Sequence, residues 1–191
     1  MITSSHSPLA ECDINGHKSN ATFFSDLDIT RANLLACLFS TGVRKLRQPN
    51  RSGLISGSGG KPAPGAVNIC LGSVQCTFKR EIGLYESYEM WSRILTWDQK
   101  WIYIVTHFVG KGKARGKGRD AGQPAVLAWA ISKQVIKVGR LSVDPEVVLH
   151  ASGFDVTSAA VQKEREKGLV HAGHFAALDG LEAAFPGPTP A

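Results

Sequence analysis

One long stretch of helical period, followed by four long stretches of alternating period, most narrows the folds open to this chain. Residues 21 to about 47 place Phe24, Leu27, Arg31, Leu34, Leu35 and Leu38 near one stripe, the spacing of an amphipathic helix. Arg44, Lys45 and Arg47 meet the negative end of its dipole, and Gly42 marks an alternative, earlier stop. Residues 66–81 then alternate through Val67, Ile69, Leu71, Val74, Cys76 and Phe78. In residues 86–97, Tyr88, Met90, Ile94 and Thr96 oppose Glu89, Trp91, Leu95 and Trp97; Asp98-Gln99 turns the chain into 100–109, and 125–138 is the next long run. Aromatic and β-branched segments joined by short turns predict an antiparallel meander. One helix against one large antiparallel sheet is an α+β layer architecture.

Composition sets the outer limits. A chain of 191 residues, 43% hydrophobic, fits one domain with a single buried core. No apolar run is long enough to span a bilayer. The segment from Met1 to Leu9 is too polar for a signal peptide, so a cytoplasmic location is expected. Cys12, Cys37, Cys70 and Cys76 form no CxxC pair and no metal-ligand spacing. Their apolar neighbours suggest buried free thiols in a reducing compartment, and no metal or cofactor is expected. The net charge of +6 rests largely on Lys111, Lys113, Arg115, Lys117 and Arg119. No aromatic residue interleaves that run, so nucleic acid is not the expected partner. A solvated loop, or an arm attracting the phosphates of coenzyme A or an acidic carrier protein, fits better.

Ahead of the helix lies Asp13-Ile14-Asn15-Gly16-His17-Lys18-Ser19-Asn20. If this segment is extended, Asp13, Asn15 and His17 leave on one face, and Asn20 stands where the helix begins. Polar groups just before a helix N-terminus have partial positive charge at hand, which suits a developing oxyanion. The plainer alternative is turn chemistry followed by an Asn20 N-cap. Residues 7–12 read as a short strand feeding this motif, residues 144–152 as a turn of helix opened by Pro145, and residues 156–185 as helical.

The motif resembles the Asp-x-Asn-x-His-x-x-Asn segment of hotdog acyl-carrier-protein thioesterases and the Asp-x-x-Gly-His-x-x-Asn segment of 4-hydroxybenzoyl-CoA-type thioesterases. Three further blocks, Cys76 to Ile82, Tyr85 to Arg93 and Trp97-Asp98-Gln99-Lys100-Trp101, resemble a fungal thioesterase-like group with vertebrate relatives. The segment from Val135 to Gly153 fits the same group. Only a dozen residues precede the motif, where those proteins usually carry a longer N-terminal extension.

The resemblance implies a hotdog fold, a sheet wrapped around a long central helix. It implies a domain over 7–153, with flexible loops at 48–65 and 110–123, a short tail at 1–6 and a helical appendage at 154–191. It also implies hydrolysis of an acyl-CoA or acyl-carrier-protein thioester, in fungal lipid or secondary metabolism, by a homodimer or higher homo-oligomer. Asp13 would supply the carboxylate, as general base or nucleophile; Asn15 and His17 would assist; Gly16 and Asn20 would bind substrate around the oxyanion. Asp26 and Asp28 are competing acids, although Arg31 offers Asp28 an i,i+3 partner. A hotdog hydratase or dehydratase acting on enoyl thioesters, and a non-catalytic acyl-binding protein, are the alternative functions.

Overall fold

The computed structural model describes residues 1–48, 65–113 and 124–181. The order is β1 (Ile2–His6), a 3-10 turn at Leu9–Glu11, α1 (Asn20–Arg47), β2 (Val67–Phe78), β3 (Ser87–Trp97), β4 (Trp101–Lys113), β5 (Pro124–Val138), β6 (Leu141–Val143), α2 (Pro145–Ala151) and α3 (Ala159–Asp179). The strands form one antiparallel sheet ordered β1-β3-β4-β5-β2, with β6 on β5. The sheet curls around α1 in the hotdog arrangement.

Three expectations need correction. Only β3, β4 and β5 form a meander, because the 79–86 connection carries the chain across the end of the sheet and β2 pairs with β5. A tight Asp98 turn, whose Oδ1 accepts from the amides of Lys100 and Trp101, permits the direct β3–β4 hairpin. The strand expected at 7–12 lies instead at Ile2–His6, in residues read as a tail. Pro8 has no N–H to donate to a ladder, and the amides of Glu11 and Cys12 fold back onto the carbonyls of Pro8 and Leu9. Residues 110–113, assigned to a loop, belong to β4; residues 114–123 and nearly all of 48–65 lie outside the described residues.

Helix α1 buries Phe23, Leu27, Leu34, Leu35, Phe39 and Leu46 against the sheet. From β4 it meets Ile102, Ile104 and Phe108, the residues of one parity. The other parity of β4 faces α3, where Tyr103 packs with Ile131, Ala172 and Phe175. Gly42 does not stop α1. A Cβ there would lie 2.3 Å from Ser152 Oγ and 2.8 Å from the Val148 carbonyl, so this glycine lets α1 and α2 cross closely. The four cysteines are free, but Cys37 and Cys70 are exposed rather than buried. Cys37 lies off the buried stripe of α1 and Cys70 lies on the edge strand β2, so apolar neighbours in sequence did not bring burial. Among the described residues, no helix is long and apolar enough to cross a membrane.

Candidate active site

The motif is folded into a tight turn, not an extended strand. The Asp13 amide donates to the His17 carbonyl at 2.8 Å and the Gly16 amide to the Asp13 carbonyl at 3.0 Å. Asp13 Oδ1 accepts from the Asn15 amide at 2.9 Å. Gly16 adopts φ 77°, which closes the turn at little steric cost. The expectation of three side chains on one extended face is therefore overturned by local hydrogen bonding. Asn20 is likewise not the cap: it is the first helical residue, and Ser19 occupies the N-cap without a side-chain bond.

Asp13, Asn15, His17 and Asn20 nevertheless border one cavity of about 300 Å³, closed on its far side by Phe23, Phe78 and residues 79–82. Gly16 is absent from its lining. The Gly16 amide donates to the Asp13 carbonyl. The amides of Asn20 and Ala21, at the start of α1, have no acceptor among the described residues. Of the two, Asn20 borders the cavity, so this helix start offers its amide, and the positive end of the dipole, to an anion there.

His17 Nε2 lies 3.2 Å from Glu81 Oε2, a pair with side chains 38% and 74% exposed. The 79–86 connection brings Glu81 there: the Lys18 amide donates to the Ile82 carbonyl at 2.8 Å, and His17 bridges to Gly83. Glu81 lies within a block already singled out by resemblance, yet nothing in its spacing linked it to His17.

Directly behind the turn is a buried ionic cluster. Lys18 Nζ pairs with Glu11 and lies 3.0 Å from Asp26 Oδ2, and Tyr88 donates its hydroxyl to the same Asp26 oxygen at 2.5 Å. Burial opposes the ammonium, but hydrogen bonds to Glu11, Asp26 and Tyr88 outweigh it and raise Lys18 above its usual pKa. Burial, then the bond to Asp26, pushes the Tyr88 phenol up to about 12. Asp26 is thus tied down by two partners and is poorly placed to act as a base. An acid at position 26, one residue from Leu27 on the buried stripe, was the sequence signal for such a cluster. Asp28 pairs with Arg31 as the spacing predicted, and it borders a different cavity, between α1 and β2. His107 is half-buried on its strand, and its pKa is lowered by burial and by Arg93.

Comparison with known proteins decides the family. The model of the Thioesterase-like superfamily matches residues 7–132. This chain belongs to the thioesterase-like superfamily. It is 38% identical over 213 residues to "Thioesterase poxG" of Penicillium oxalicum, a match covering 97% of this chain and 69% of that one. It is 36% identical over 210 residues to "Probable thioesterase atnL" of Emericella nidulans, with coverage of 95% and 69%. Among solved structures, that of gentisyl-coenzyme A thioesterase superposes with a TM-score of 0.53 at 14% identity, covering 81% of this chain and all of that one. At that identity the likeness concerns the fold. Thioesterase-like membership gives the Asp13 cavity a reaction to be weighed against.

Proposed function

We propose that this thioesterase-like protein hydrolyses an acyl thioester, carried by coenzyme A or an acyl carrier protein, in the Asp13 cavity. The observation that supports this most is the convergence of Asp13, Asn15 and His17 on one cavity at an uncapped helix start. The Asp13 carboxylate takes a proton from water as hydroxide adds to the thioester carbonyl. The resulting oxyanion is held by the Asn20 amide at the start of α1, where such a donor is worth roughly 10²–10³ in rate. The tetrahedral intermediate then expels the thiolate, which leaves readily because its conjugate thiol has a pKa near ~8.5. Asn15 holds the water, and the proton taken up by Asp13 passes through His17, oriented by Glu81, to the departing sulfur, which returns both side chains to their starting state. Lys79 and Arg80 on the cavity rim offer charge to carrier phosphates.

The working unit is a homodimer joined through β2. Among the described residues that strand ends the sheet with one neighbour, β5, and exposes Ile69 and Leu71 along its length, an edge that a second copy can cover. The free thiols suit a reducing cytoplasm. Thiol release from a panel of acyl-CoAs, followed with DTNB in the native protein and in Asp13→Asn, tests the reaction. Release that persists in Asp13→Asn, or none with any acyl chain, sinks it. Light scattering of the eluted protein tests the dimer.

A further inference from the structure

The cavity between α1 and the edge strand β2, about 670 Å³ in volume, contains a cation that the described residues do not fully satisfy. Leu35 and Phe39 from α1 and Ile69 and Leu71 from β2 give it hydrocarbon walls. Arg31, also in its lining, is only 5% exposed. Its Nη2 bonds Asp28, but Nη1 is buried with no hydrogen-bond partner among the described residues. Asp28 is itself 69% exposed, so water shares much of its charge. Burial accordingly lowers the Arg31 pKa, with Asp28 working in the other direction. A buried charged donor without an acceptor is costly, and folded chains keep few of them. An acceptor brought by a ligand removes that cost.

Resting on the thioester reading above, we infer that this groove receives an acyl chain bearing a carboxylate at its far end, and that Arg31 Nη1 binds that carboxylate. Both cavities lie along α1 and β2: Asn20, Phe23 and Phe78 border the first, and Arg31, Ile69 and Leu71 the second. The helical rise from Asn20 to Arg31 is on the order of 16 Å, which sets the reach required between the thioester carbon and the second carboxylate. Carrier phosphates fit this groove poorly. They are heavily hydrated and suit the rim residues Lys79 and Arg80, whereas a carboxylate at the tip of an apolar chain suits a buried guanidinium between hydrocarbon walls. A site built around such a donor discriminates against a chain lacking the acceptor, because the donor is then left unmade.

The test compares dodecanedioyl-CoA with dodecanoyl-CoA, flanked by shorter and longer pairs, in the native protein, Arg31→Gln and Arg31→Lys. The native kcat/KM favours the carboxylated chain by about tenfold or more, Arg31→Gln brings the ratio close to one, and Arg31→Lys keeps part of it. Calorimetric binding of dodecanedioic and dodecanoic acids gives the same comparison without turnover. It therefore judges Arg31 even if no thioester is hydrolysed, an outcome that would sink the hydrolytic reading instead. Equal treatment of the two chains by the native protein overturns the inference, as does a preference that survives Arg31→Gln. So does an Arg31→Gln variant that dissociates the dimer with the preference intact, since the acceptor then comes from the second copy. Loss of affinity for unacylated coenzyme A in Arg31→Gln overturns it in favour of phosphate.

Discussion

The turn carrying Asp13 and the cluster around Lys18 adjoin in sequence and stand in opposite environments. Asp13, Asn15 and Gly16 are exposed, and the turn is held by backbone bonds and the Asp13–Asn15 contact. Lys18 and Asp26 are buried and paired with each other, Lys18 also with Glu11 and Asp26 with Tyr88, and the rings of Phe23 and Tyr88 lie 5.6 Å and 5.5 Å from Lys18 Nζ. A turn in water leaves its reactive groups free for a ligand. A buried charge network fixes the base on which that turn stands, joining the motif, α1 and β3. Substitutions in the first should therefore alter chemistry and spare the fold, and substitutions in the second should do the reverse.

The sharpest division comes from Asp13→Asn. The Asn side chain can still accept from the Asn15 amide, so the turn persists, while the base is lost. Turnover should fall by about 10²–10⁴, with stability to urea within about 0.5 kcal/mol of native. A large loss of stability would mean that the turn, too, is a structural element.

Next comes Asp26→Leu. It leaves Lys18 buried with Glu11 alone and Tyr88 without its acceptor, and should cost about 3 kcal/mol in urea unfolding. Adding Lys18→Met should restore part of that loss, because it removes the orphaned charge. If the double variant is no better than the single, the cluster is not an electrostatic unit.

The cluster also predicts a behaviour at high pH that the turn does not share. Tyr88 loses its proton at about 12 in the folded protein, above the ordinary phenol value of 10.0, and Lys18 is raised in the same sense. Both groups bind protons more tightly when folded; the Tyr88 contribution is complete below about pH 10 and is lost as pH climbs towards 12, and that of Lys18 changes in the same direction. Tyr88 alone accounts for on the order of 2–3 kcal/mol across that window. Urea midpoints measured from pH 9 upward should fall steeply in the native protein and less steeply in Tyr88→Phe.

The same contrast explains what could be read in advance. The helix and the long strands were legible because hydrophobic period is local, and α1 and β5 fall within a residue of the expected bounds. Strand order was not: the departure of β2 from β3 depends on the length of the 79–86 connection and on non-local pairing with β5. Asp13, Asn15 and His17 could be chosen because a short motif gathers them. Their geometry could not, since Asp-x-Asn-Gly supports extended chain or turn, and only the bonds to His17 and Ile82 select the turn. Tyr88 is 62 residues from Asp26, and no pattern in the chain announces such a partnership. In sequence Asp26 stood only as a competing acid, and its burial beside Lys18 and Tyr88 emerges from the packing of α1 on β3.

Glu81 offers the smallest effect and the finest probe of the turn. Its pair with His17 is open to water on both sides, and exposed pairs are worth about 0–1 kcal/mol. Glu81→Gln should therefore lower kcat by at most about fivefold, leave KM and stability near native, and lose its distinction from the native enzyme as salt rises. Those readouts separate orientation of His17 from a part in holding the turn, which would move the urea midpoint as well. A drop beyond tenfold that salt does not diminish would mean that the pair closes over the substrate and leaves water, moving Glu81 from the exposed side of the contrast to the buried one.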